Sequence, residues 1–162
     1  MLNLNKPLEY DPDSLGNRNL ELTELVLPRL GRLLKAYFRA EVLGLEHIPR
    51  GPALYVGNHN MIIYTLDTGI FLSEAYKARG ADALPYFLQH EFGVRTPVLR
   101  RLGGLAGGLR ASKDNALKAL AAGHKALTYP GGDLDSCRPY RDRNKIVFGD
   151  RTGYVELALA AG

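Results

Sequence analysis

The seventeen residues Gly51–Asp67, GPALYVGNHNMIIYTLD, decide how the rest of the chain reads. Gly51-Pro52 signals a turn, and Ala53-Leu54-Tyr55-Val56 is a short apolar, β-favouring run of the kind that forms a buried strand. The run ends at Gly57-Asn58-His59, which sets an imidazole just past a strand, where α/β folds place their chemistry. Asp67 follows eight residues after His59, in a segment able to open a helix. An imidazole with an acid nearby suits a general base, because its ordinary pKa lies near neutrality. Packing and capping residues make the same pattern, so the pair alone leaves both readings open.

Upstream, Glu41 to Pro49 reads as a strand followed by a turn, with His47 at the surface. Leu20 to Ala40 is helical in pattern. Leu27, Leu30, Leu33, Leu34, Tyr37 and Phe38 recur at three- and four-residue spacing, with Arg29, Arg32, Lys35 and Arg39 between them. Pro28 is expected in the first turn of that helix. A helix of this kind either docks on its own domain with solvated arginines or lies in the headgroup region of an anionic bilayer. Residues 1–19 are polar and read as extended or loosely packed.

Downstream, Asp67 to Arg79 predicts a helix stopped by Gly80, and Leu84 to Leu88 a strand followed by His90. Thr96-Pro97 opens a short helix through Leu102. The glycines between Gly103 and Gly108 match neither a dinucleotide fingerprint nor a P-loop. Ser112 caps a helix from Lys113 or Asp114 to Ala122. Lys125 to Tyr129 is another strand, broken at Pro130-Gly131-Gly132. A charged loop follows, Ile146-Val147-Phe148 forms a brief strand or buried anchor, and Thr152 to Ala161 is the last helix. Strands alternating with helices of about ten residues predict an α/β fold. The final helix has no strand after it, so the domain reads as incomplete at its C-terminus.

With 162 residues, 46% hydrophobic and 23% charged, the chain reads as a single domain: a polar segment 1–19, a basic amphipathic helix 20–40 and a body 41–162. The net charge of +4 admits an anionic partner. Basic and acidic residues are interspersed without a recognition motif, which argues against nucleic acid. One cysteine, Cys137, excludes an internal disulfide, and four histidines show no metal-ligand spacing. No signal peptide and no apolar run of about 18 residues stand out, so a spanning helix is not expected.

Taken together, the chain resembles the lysophospholipid and glycerolipid acyltransferase superfamily. The likeness runs from about Tyr37 to Gly162. It rests on Tyr37-Phe38-Arg39, Gly44-Leu45-Glu46-His47-Ile48-Pro49, Gly51 through His59, Tyr129-Pro130-Gly131-Gly132 and Gly149 through Tyr154. The Pro-Gly-Gly form resembles the branch related to mono- and diacylglycerol acyltransferases. The resemblance implies an α/β sandwich with a mixed central sheet flanked by helices. It implies acyl transfer from acyl-CoA, or an acyl carrier protein thioester, to a glycerolipid hydroxyl, with no further cofactor and no metal.

His59 then corresponds to the general base. The family's acid lies five residues on, at Tyr64 here; Asp67, at eight, fits a longer loop. Lys113, six residues after Gly107, corresponds to a phosphate contact. Gly131 and Gly132 correspond to a glycine-rich substrate motif whose backbone N–H groups would steady an oxyanion, with Asp133 or Asp135 as its acid and Arg138 at an acceptor phosphate. The family's setting implies a peripheral protein at the cytoplasmic face of a membrane, held through residues 25–40. The competing class is a non-catalytic lipid-binding or degenerate domain of the same fold, which Tyr64 and the missing C-terminal strands favour.

Overall fold

A computed structural model describes residues 10–59 and 65–162. Its centre is a sheet of four strands, β1 (Ala53–Val56), β2 (Tyr86–Gln89), β3 (Gly108–Arg110) and β4 (Lys125–Thr128). Their order across the sheet is β1-β4-β2-β3. Ala53 to Val56 face Lys125 to Thr128, Tyr86 and Phe87 face Ala126 and Leu127, and Phe87 to Gln89 face Gly108 to Arg110. Every one of these pairings is parallel, so the α/β expectation holds and the described sheet is parallel where a mixed one was expected. The residues 41–43, read as a strand, run without strand pairing among the described residues and lead into a 3-10 turn at Leu45–His47.

Parallel strands need crossovers, and the helices supply them. Among the described residues these are α1 (Leu20–Phe38), α2 (Leu66–Arg79), α3 (Glu91–Arg95), α4 (Pro97–Leu105), α5 (Lys113–Ala121), α6 (Gly132–Ser136) and α7 (Gly153–Ala161). Both faces of the sheet are covered, as parallel sheets require. Leu54 packs toward Ala116, Leu120, Ala126 and Leu157, on the α5–α7 side. Its neighbour Tyr55, on the opposite face by strand alternation, packs with Ile48, Ala75 and Ala83. The Ser112 hydroxyl caps α5 by accepting from the Asn115 N–H at 3.1 Å.

Helix α1 lies outside α2, and small residues let the two backbones close. A Cβ on Gly31 would fall 2.1 Å from the Ser73 Cβ, and Ser73 is fully buried. Lys35 adds an ion pair to Glu74 at 2.6 Å. Gly31→Ala is therefore expected to push α1 off α2 and cost about 1–3 kcal/mol, the range for overpacking. A urea unfolding midpoint reads this directly, and an unchanged midpoint would show that the contact is not tight. Pro28 sits inside α1 rather than in its first turn.

The segment 10–19 is docked rather than loose. Arg18 lies 3.6 Å over the Tyr86 ring and donates to the Leu84 and Pro85 carbonyls. The Arg110 N–H donates to the Pro12 carbonyl at 2.8 Å. Residues 1–9, and Tyr64 with its neighbours 60–63, lie outside the described residues.

Candidate functional site

Because the four strands are parallel, the segments after each one gather at the same edge of the sheet. The residue following Gly57-Asn58 at the end of β1 is His59, and Tyr129 follows β4 next to it. The two rings stack, with centroids 4.4 Å apart and planes 27° from parallel. Tyr129 is held in turn by a hydroxyl–hydroxyl bond to Thr68 on α2. Burial raises the Tyr129 phenol above its ordinary pKa, so it stays neutral and keeps its hydroxyl proton.

The backbone of His59 is gripped from both sides by one ion pair. Asp135, fully buried on α6, accepts from the His59 N–H at 2.5 Å. Arg138 donates to the His59 carbonyl and binds Asp135 Oδ1 at 2.7 Å. The Asp135 carboxylate also accepts from the Val147 N–H at 3.1 Å, which ties down the main chain of the stretch 146–148; that stretch pairs as no strand among the described residues, and Ile146 is exposed. Gly131 makes this approach possible: a Cβ there would lie 2.3 Å from the Asp135 Cβ and 2.7 Å from the Val147 carbonyl oxygen.

His59 Nδ1 is buried and has no hydrogen-bond partner among the described residues. Buried polar atoms are normally satisfied, so a buried nitrogen without a partner is uncommon and singles His59 out as a candidate site residue. Burial lowers the imidazole pKa, while the charges of Asp135 and then Asp67 act to raise it. The imidazole thus remains neutral, and able to accept a proton, to a lower pH than an exposed histidine. The unfolded chain binds that proton more readily, so stability is fully present above about pH 6.5 and falls as the pH drops through that value. The loss in urea midpoint below that pH is expected to be smaller in His59→Gln than in the parent; equal losses would place the titrating group elsewhere.

Beside the site lies a cavity of about 640 Å³. Val42, Leu54, Val56, Ile70, Phe71 and Leu127 are among its apolar lining, and Glu41, Asn58, Asp67, Thr68 and Tyr129 add polar groups. A largely apolar cleft with a few polar groups is the usual form of a small-molecule site.

The expected residues fare differently. Asp67, exposed in the first turn of α2, reaches the same cavity and acts on His59 through its charge, with no hydrogen bond to it among the described residues. The carboxylate that touches His59 is Asp135, on the backbone rather than the ring. Arg138, expected at an acceptor phosphate, is turned inward, its guanidinium used on Asp135 and on main-chain carbonyls. Gly132 takes the left-handed turn at φ 47° and gives its N–H to the Tyr129 carbonyl at 3.1 Å, so that group is not free for an oxyanion. Gly131 is buried, its carbonyl accepting from Arg151 Nη1 at 2.9 Å. Asp133 pairs with Arg151 at 2.6 Å, away from His59. Lys113 opens α5 after β3 and faces Glu156 at 3.5 Å. Three strand spacings, about 14 Å, separate β3 from β1, so Lys113 shares the edge of the sheet but not the cavity wall. Among the described residues no group of three or more metal-binding side chains occurs.

Two features escaped the sequence reading, the Tyr129 stack and the double grip on His59. The signal for the second was the three-residue spacing of Asp135 and Arg138 just after a glycine turn.

No family model matches the chain, and no solved structure does. Among curated proteins, an uncharacterised protein of Mycobacterium tuberculosis is 31% identical over 153 residues, 93% of this chain and 42% of the relative. An uncharacterised protein of Mycobacterium leprae is 29% identical over 154 residues, 94% of this chain and 41% of its own length. The mouse DGAT1/2-independent enzyme synthesizing storage lipids is 26% identical over 121 residues, 75% of this chain and 35% of that enzyme. The chain thus spans less than half the length of the curated relatives it matches.

Proposed function

We propose that this chain carries a lipid acyltransferase site in which His59 is the general base. The observation that supports it most is a neutral, half-buried imidazole with an unpartnered Nδ1, held at the end of β1 beside an apolar cavity. The distant likeness to a mouse enzyme synthesizing storage lipids points the same way. His59 takes the proton from a glycerolipid hydroxyl as its oxygen attacks the thioester carbonyl of an acyl-CoA or acyl carrier protein. The new C–O ester bond replaces the C–S bond, and the thiolate leaves with the proton that His59 held. No further cofactor enters.

The protein works as a peripheral one at the cytoplasmic face of a membrane, held through residues 25–40. Val26, Leu30, Leu33 and Tyr37 form an exposed row along α1, with Arg29 and Arg32 to one side, which suits an anionic interface. No described helix is long and apolar enough to cross a bilayer.

A second reading, a lipid-binding domain without catalysis, draws on the absence of a described hydrogen bond between Asp67 and the His59 ring. The experiment that separates them is thiol release from a long-chain acyl-CoA, with and without a panel of lysophospholipids and mono- and diacylglycerols. Acceptor-dependent release supports acyl transfer and identifies the acceptor. No release from protein shown to be folded by circular dichroism overturns it in favour of lipid binding.

A further inference from the structure

Helices α3 and α4 leave the C-terminal end of β2 and show solvent a second apolar face, separate from the row on α1. Phe92 is 60% exposed, Val98 66% and Leu102 60%. On α4 the positions 98, 101 and 102 fall on one side of the helix, so Arg101 flanks the two apolar side chains. The opposite side is packed: Gly104 is buried against the Tyr10 ring, and Gly103 against Gln89. Arg95 on α3 adds another exposed guanidinium. Across residues 91–106 the single acid is Glu91, set against Arg95, Arg100 and Arg101, and Glu91 is itself paired with Arg95 and Arg110.

We infer that this α3–α4 face is a docking surface for an anionic lipid bilayer. Apolar groups flanked by arginines, with an aromatic ring among them, match an interface with acyl chains beneath and phosphate headgroups above. The location adds to the argument. Strand β2 lies two spacings, about 10 Å, from β1, and α3 begins at the same edge of the sheet as His59. A bilayer resting on α3–α4 therefore meets the edge that carries the cavity. Helix α1 joins this face at one corner, where the Asn19 N–H and the Thr23 hydroxyl donate to the Leu105 carbonyl at 2.9 and 3.4 Å. The inference does not require acyl transfer, and its test reads no turnover.

The test is flotation of the full chain with vesicles of phosphatidylcholine alone or of phosphatidylcholine with phosphatidylglycerol. Binding is expected only with phosphatidylglycerol and is expected to weaken as salt screens the headgroups. Phe92→Ser, Val98→Ser and Leu102→Ser together should weaken it at least about tenfold. Arg95→Gln and Arg101→Gln should each weaken it about fivefold, the equivalent of about 1 kcal/mol per charge. These side chains face solvent, so the variants should unfold at the parent's urea midpoint. Three results overturn the inference. The parent fails to float with anionic vesicles; or the α3–α4 variants float like the parent while Leu30→Ser with Leu33→Ser on α1 does not; or the variants change only a concentration-dependent mass in light scattering, which would make the face a protein interface.

Discussion

Acceptor-dependent thiol release is expected to fall by about 10²–10⁴-fold in His59→Ala, the contribution of a positioned general base. The substitution isolates the chemistry because the fold holds His59 by its main chain. Asp135 accepts from the N–H and Arg138 donates to the carbonyl, and alanine keeps both groups. The circular dichroism spectrum should therefore match the parent's while turnover is lost. Full activity in the variant would remove His59 from the mechanism altogether. Asp67→Asn is the informative companion. Its carboxylate influences His59 through charge, so its removal is expected to change the rate by less than about tenfold and to move the acid limb of the pH profile to lower pH. A loss as deep as that of His59→Ala would instead make Asp67 the acid that orients the ring during turnover.

Asp135→Ala is expected to be the most destabilising single change, costing about 3–5 kcal/mol, because it strands a buried guanidinium. Arg138 is nearly as buried as its partner, with one-tenth of its side chain exposed. The His59 and Val147 N–H groups lose their acceptor in the same step. Against the 5–15 kcal/mol typical of a domain, that loss is a large share of the whole. Urea unfolding measures it, and the double substitution Asp135→Ala with Arg138→Met should recover part of it by removing the orphaned charge. A loss below about 1 kcal/mol would mean that the pair is solvated and grips nothing.

Much of this architecture could be read from residues one at a time. Ser112 marks the start of α5, Gly80 closes α2, and Ala53 to Val56 form the strand their composition predicts. Strand β3 could not be read that way, since three residues beginning with a glycine carry no period. Residues 41–43 have strand composition and no partner among the described residues, and composition says nothing of partners. The site shows the same division. His59 is visible because it closes the stretch Gly51 through His59 on which the resemblance rests, whereas Asp133 and Asp135 are indistinguishable as letters. One pairs with Arg151 at the surface; the other is buried under His59. Which of two neighbouring carboxylates turns inward depends on the Gly131 turn and on Val147, both fixed only by the folded chain. Arg138 is likewise only a basic letter in the sequence, which does not report its pairing with the buried Asp135.

The strand order also governs when the site comes into being. Strand β1 is hydrogen-bonded to β4, whose first residue, Lys125, lies 72 positions after Ala53. His59 waits still longer for its grip, because Asp135 lies 76 positions away. During synthesis the first half of this chain therefore leaves the ribosome with β1 unpaired, and the imidazole gains its place only after residues 125–138 have emerged. Pairing between such distant partners is slow to form, since the loop must close before the contact stabilises it. A chain interrupted after α5 carries the histidine and the cavity's first wall, yet none of the residues that hold the base in position.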